Sequence, residues 1–155
     1  MSDGISRREM LLRAAALAVG GGSYARRLAA SAPKTPMLVY RDPGCGCCMK
    51  WVEIMRTSGF DVSVSDTTGM PAIKRRYNVP EAVQSCHTAL VGGYIIEGHV
   101  PADLIRKLLK EKPKLTGLAV PGMVVGSPGM EGAPKQGYDV VTFDAAGRTT
   151  VYAKR

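Results

Sequence analysis

A chain of 155 residues with 45% apolar and 22% charged side chains can bury a core as one domain with an appendage, which rules out wholesale disorder. No run approaches the roughly 18 consecutive apolar residues that a spanning helix needs, so no membrane span is expected in the mature chain. An aromatic content of 6% excludes the stacking platforms of single-strand nucleic-acid binders, and the formal charge of +8 has to be divided before it is read.

Residues 1–32 read as an export leader. Ser6-Arg7-Arg8-Glu9-Met10-Leu11 sets paired arginines directly ahead of a mildly apolar stretch, 11–22, and small residues end in Ala30-Ser31-Ala32, an A-x-A cleavage pattern. The apolar stretch is rich in Ala and Gly and interrupted by Arg13, which suits a twin-arginine signal better than a Sec signal. That route carries folded proteins to the periplasm. Arg26 and Arg27, close to the cleavage point, fit the pattern least well. The leader holds five basic and two acidic residues, so the mature part, 33–155, keeps 16 basic against 11 acidic, a net of +5. Most of the surplus comes from Lys74-Arg75-Arg76 and from Lys107, Lys110, Lys112 and Lys114, which read as solvated helix faces. Docking of an acidic partner is the second reading of these charges, and export excludes nucleic acid.

In the mature chain, Met37-Leu38-Val39-Tyr40 predicts a buried strand entering a tight loop at Arg41-Asp42-Pro43-Gly44. Cys48, Trp51, Val52 and Met55 recur at i, i+3, i+4 and i+7, an amphipathic helix closed by Ser58-Gly59. Residues 60–66 alternate Phe, Val, Val against Asp, Ser, Ser, a strand with one wet face. Met70, Ile73 and Tyr77 space a second helix, with Pro71 in its first turn and Val79-Pro80 stopping it. Two strands, 88–91 and 94–96, join through Gly92-Gly93, a hairpin signal. Pro101 opens a helix with Leu104, Ile105, Leu108 and Leu109 on its apolar face, ending before Pro113. A Gly/Pro-rich loop, 116–137, carries Pro-Gly-Met twice, at 121–123 and 128–130, and is too long to be idle. Residues 138–143 and 149–153 close the chain as a hairpin. The order predicts an α/β class: a thioredoxin-like mixed sheet with flanking helices and an added C-terminal β-hairpin, within one domain at 33–155.

All four cysteines lie in this domain. In an oxidising compartment an even number normally means a disulfide framework, but Cys45, Cys47 and Cys48 fall within four residues, leaving only Cys86 to staple a distant segment. Cys45-Gly46-Cys47-Cys48 sits where the first strand hands over to the first helix, and the free N–H groups there favour thiolate. Gly44 and Gly46 are expected to turn the backbone with positive φ. Cys45 and Cys48 have the spacing that lets two sulfurs meet, while Cys47 aims elsewhere or bridges to a second atom. In a thioredoxin-like sheet the segment before the third strand faces the Cys-x-x-Cys, usually with a cis-proline. Here that place holds Cys86-His87, so three thiolates and an imidazole can converge on a soft metal. Met123 and Met130 add thioethers, which bind Cu(I) and serve hard ions poorly. Each also reads as a gap-filler under the loop. His99, before Pro101, reads first as a surface residue at a helix start and second as a ligand.

The blocks Gly44-Cys-Gly-Cys-Cys48, Ser85-Cys-His-Thr88, the stretch 91–101, and 117–123 with 126–131 resemble, in order, the CopG-type periplasmic copper-resistance proteins, long described as a bacterial domain of unknown function. The resemblance covers about residues 37–153. It implies a thioredoxin-like fold that binds one or several copper ions, handles copper alongside other periplasmic copper proteins, and interconverts Cu(I) and Cu(II). Carried over by position, Cys45, Cys48 and Cys86 lead the metal ligands, followed by Cys47 and His87, then Met123, Met130 and His99. Other readings stay open. In a metal-free thiol–disulfide oxidoreductase, Cys45 would be the catalytic nucleophile and Cys48 the resolving thiol. A [2Fe–2S] cluster on all four cysteines is the next reading, and a structural Cys₃His zinc site the last.

Overall fold

The computed structural model describes residues 33–155; the leader read at 1–32 lies outside them. Seven strands form one mixed sheet in the order β2-β1-β3-β4-β5-β6-β7. In chain order the elements are β1 (Thr35–Arg41), α1 (Gly46–Thr57), β2 (Phe60–Asp66), α2 (Met70–Arg76), a 3₁₀ turn (Glu81–Val83), β3 (His87–Val91), β4 (Tyr94–Glu97), α3 (Ala102–Glu111), β5 (Gly117–Ala119), β6 (Asp139–Phe143) and β7 (Thr149–Lys154). β1 and β2 run parallel across the α1 crossover, β3 lies antiparallel to β1, and β4 pairs parallel with β5 across α3. The arrangement is compatible with a thioredoxin-like α/β fold.

The local chemistry behind these elements is direct. Cys48, Trp51, Val52 and Met55 make one fully buried stripe on α1, and Gly59, at φ +94°, ends it. Gly92 and Gly93, at φ +55° and +85°, supply the two left-handed residues of a tight hairpin between β3 and β4. On α3, Leu104, Ile105 and Leu108 are buried while Lys107 and Lys110 face solvent, and the left-handed Lys112 stops the helix ahead of Pro113. These stripes pack with Met37, Val39, Ala89, Val91, Ile96 and Leu118 into the main core, each large side chain contributing about 1.5–3 kcal/mol of burial. A smaller core of Val79, Val83, Ile95, Ala119 and Phe143 gathers separately.

Two expectations are corrected. The stretch 116–137 is not loop throughout, because Gly117–Ala119 is a buried strand. It pairs with β4 on one side and β6 on the other, so it fastens the C-terminal hairpin to the sheet. Three residues are too few to display an alternating pattern. The face Lys74-Arg75-Arg76 is not uniformly solvated either. Arg75 and Arg76 are exposed, but Lys74 is buried and pairs with the buried carboxylate of Glu97. The charge is inside because a second, opposite charge waits there.

Register sets the site. Arg41, the last residue of β1, lies opposite His87, the first of β3. The loop leaving β1 and the segment entering β3 therefore meet at one end of the sheet.

Candidate metal centre

Cys45 precedes the first turn of α1, Cys48 lies on its buried side, and the loop before them is held by Arg41. That guanidinium donates to the carbonyls of Asp42, Pro43 and Cys45 at 3.2, 3.4 and 3.1 Å, and forms an ion pair with the Asp66 carboxylate at 2.9 Å. Sequence reasoning passed over Arg41; its only signal was a cation at the end of an apolar strand. Gly44 and Gly46 do not take positive φ. The Asp42 side chain, accepting from the Gly44 N–H at 2.8 Å, makes the turn instead.

The four sulfurs converge. Those of Cys45, Cys47, Cys48 and Cys86 all lie within 4.8 Å of one another, so Cys47 does not aim elsewhere. Cys45 and Cys48 are joined as a disulfide, Cys47 and Cys86 are free thiols, and Cys47 Sγ stands 3.4 Å from Cys45 Sγ. Cys86 belongs to a second cluster as well, with His87 and His99. Its Sγ lies 3.0 Å from His99 Nε2 and 3.5 Å from His87 Nδ1.

Both imidazoles are fully buried, which overturns the surface reading of His99. His99 Nδ1 donates to the Pro128 carbonyl at 2.6 Å. A carbonyl only accepts, so this bond fixes the tautomer and leaves the Nε2 lone pair facing Cys86. His87 packs under Trp51, ring centroids 4.4 Å apart, and the indole is itself fixed by donating to the Val100 carbonyl at 3.0 Å. His87 Nε2 is buried without a hydrogen-bond partner among the described residues. Burial holds His87 well below its ordinary pKa, helped by the charges of His99 and Lys74, and burial lowers His99 too. Both rings are therefore neutral at neutral pH, the form that binds metals. Burial, reinforced by Cys47, pushes the Cys86 thiol up to about 12. Without a cation Cys86 keeps its proton, and a soft cation is what would replace it.

The repeated Pro-Gly-Met motifs clasp the two sulfur-bearing segments through their backbone. In the first, Gly122 donates to the Gln84 carbonyl and accepts from the Ser85 hydroxyl, immediately before Cys86. In the second, Pro128 orients His99, and Gly129 packs so closely that a Cβ there would stand 2.8 Å from Trp51 N and 3.0 Å from Cys47 O. Met123 is 61% exposed and Met130 half-buried.

On the opposite face of β3 from His87 lies a polar cluster that sequence reasoning also missed. Glu97 accepts from the Ser85 N–H and the Thr88 hydroxyl, each at 2.7 Å, and pairs with Lys74, whose ammonium also reaches Thr88 at 3.3 Å. Burial raises the Glu97 carboxyl, and Lys74 opposes that rise. One carboxylate thus holds the residues on either side of Cys86-His87. A lone Glu ending the apolar run Tyr94-Ile95-Ile96 was its only trace.

Sulfurs and neutral imidazoles sharing the half-buried thiol of Cys86 at the end of an α/β sheet define a protein with a soft-metal donor set. A family model described as a protein of unknown function, DUF411, matches residues 83–130, the span holding Cys86, His87, His99 and both Pro-Gly-Met motifs. Two solved structures of a copper resistance protein CopG, its forms 1 and 2, are each 42% identical to this chain. Each superposes with a TM-score of 0.74 over 79% of this chain and 98% of its own. No curated protein matches significantly. The chain belongs to the CopG family of copper-resistance proteins.

Proposed function

We propose that this chain is an exported, periplasmic copper-binding protein that serves copper handling and resistance. Cys45, Cys47, Cys48 and Cys86 are its sulfur donors and His87 and His99 its nitrogen donors. The carrying observation is that Cys86 belongs to both donor clusters, so sulfur and imidazole ligands meet at one half-buried sulfur. Thiolates favour Cu(I), and the imidazoles make Cu(II) accessible, so the site can pass between the two states. Cys45 and Cys48 join the set when their disulfide is reduced. Met123 and Met130 sit on the covering loop as auxiliary thioethers, and other periplasmic copper-handling proteins are the expected donors and acceptors. The leader read at 1–32 supports the export step.

The test is metal analysis of reduced protein titrated anaerobically with Cu(I) and with Cu(II). Cys45→Ser with Cys86→Ser should abolish binding, and copper retained by that variant would end the reading. The Cys45–Cys48 disulfide favours a second reading, a metal-free thiol–disulfide oxidoreductase. Insulin reduction by the metal-free protein would support it.

A further inference from the structure

The two imidazoles are held in different ways. A histidine that binds a metal through one ring nitrogen usually donates its other N–H to a carboxylate, a carbonyl or water, which fixes the ring. His99 has such a partner in the Pro128 carbonyl at 2.6 Å. His87 turns Nδ1 toward Cys86 Sγ at 3.5 Å, and its other nitrogen, Nε2, is buried with no hydrogen-bond partner among the described residues. What His87 has instead is an aromatic face. Its ring centroid lies 4.4 Å from that of Trp51, the single tryptophan of the chain, with the planes tilted by 46°. Both side chains are fully buried, so His87 cannot turn to water for the bond it lacks.

We propose that Trp51 is the positioning residue of His87, its indole face taking the place of the missing acceptor, an inference that rests on the copper-binding reading above. The indole can do this because it is itself fixed. Its N–H donates to the Val100 carbonyl at 3.0 Å, and its backbone N packs so closely on Gly129 that a Cβ there would stand 2.8 Å away. Trp51 then acts on affinity in two ways. Packing against the indole removes the rotational freedom of His87 when the chain folds, so that cost is not met when the metal arrives. A bound cation also draws electrons from the imidazole, and an electron-poor ring is attracted more strongly to the negative face of an indole. The contact is therefore stronger in the loaded protein than in the empty one, which is the condition for raising affinity.

The experiment uses the mature protein, reduced and free of oxygen, with Cu(I) delivered from a competing chelator. Trp51→Leu removes the aromatic face and should lower Cu(I) affinity more than about tenfold. Trp51→Phe restores a ring face and should bring affinity back to within about threefold of the parent. In a His87→Gln background, Trp51→Leu should cost less than about twofold, because the group through which Trp51 acts is gone. The unmodified protein supplies a measurement that needs no variant. Its single tryptophan gives one indole N–H resonance, which should shift on saturation with diamagnetic Cu(I). Equal losses from Trp51→Leu in both backgrounds, Trp51→Phe as weak as a loss of about tenfold, or an indole resonance unmoved by saturating Cu(I) would each overturn the inference. Should Trp51→Leu fail to fold, Trp51→Phe and the indole resonance decide the matter. A parent that binds Cu(I) while any of these results holds overturns only this inference, whereas a parent that binds no Cu(I) overturns the copper reading beneath it.

Discussion

Replacing Lys74 by Met tests whether the buried ion pair behind Cys86-His87 works as described. The Lys74 side chain is 7% exposed and that of Glu97 is 0% exposed, so removing the ammonium leaves a carboxylate with no route to water. Breaking such a pair from one side costs about 3–5 kcal/mol, a large share of the 5–15 kcal/mol that typically holds a domain together. Lys74→Met with Glu97→Gln removes both charges and keeps an acceptor for the Ser85 N–H, so the double variant should return to within about 1 kcal/mol of the parent. The sign of the pH response follows from Glu97. Burial already raises its pKa in the folded state, and Lys74 opposes the rise, so losing Lys74 raises it further. A carboxyl with a raised folded pKa favours folding below its ordinary range and loses that contribution as pH climbs through the raised value. The single variant should therefore be weakest at neutral pH and regain stability as pH falls toward the ordinary carboxylate range. Urea unfolding of metal-free protein at several pH values measures both effects. A loss under about 1 kcal/mol at neutral pH, or a deficit that stays constant in acid, would refute the reasoning.

Three further outcomes are expected. Gly129→Ala places a Cβ against the backbone of Cys47 and Trp51 at φ +84°, and should cost about 1–2 kcal/mol and weaken copper binding; Gly46→Ala, with nothing within 4 Å of its Cβ, should leave melting unchanged or slightly raised. His99→Gln removes the imidazole facing Cys86, so Cu(I) affinity in a chelator competition should fall more than about tenfold. In the β6–β7 turn, Arg148 and the Ala146 N–H hold the Asp144 carboxyl below its ordinary pKa. The stabilisation is present above the ordinary carboxylate range and lost as pH falls through the lowered value. The protection of the Arg148 amide against exchange, measured relative to its intrinsic rate at each pH, should fall in acid, and Asp144→Asn should remove that dependence.

Much of this chain was legible before folding. The 3.6-residue spacing of Cys48, Trp51, Val52 and Met55, the alternation over 60–66 and the Gly92-Gly93 turn are local patterns, and local patterns survive in one dimension. So does the clustering of three thiols at a strand–helix junction. The burial of His99 was not legible, because it depends on the carbonyl of Pro128, 29 residues away. The Lys74–Glu97 pair hid for the same reason: each residue looks solvated until the other arrives. β5 hid because its pairing partners, rather than its own three residues, make it a strand.

The sequence by itself determined which donor atoms exist and on which kinds of element they stand, since periodicity and turn chemistry act between near neighbours. Only the tertiary structure decided that Arg41 lies opposite His87, and so that Cys86 reaches the Cys45–Cys48 turn from one side and His99 from the other. Strand register and burial are collective properties of the packed sheet, and they alone turn scattered soft ligands into one centre.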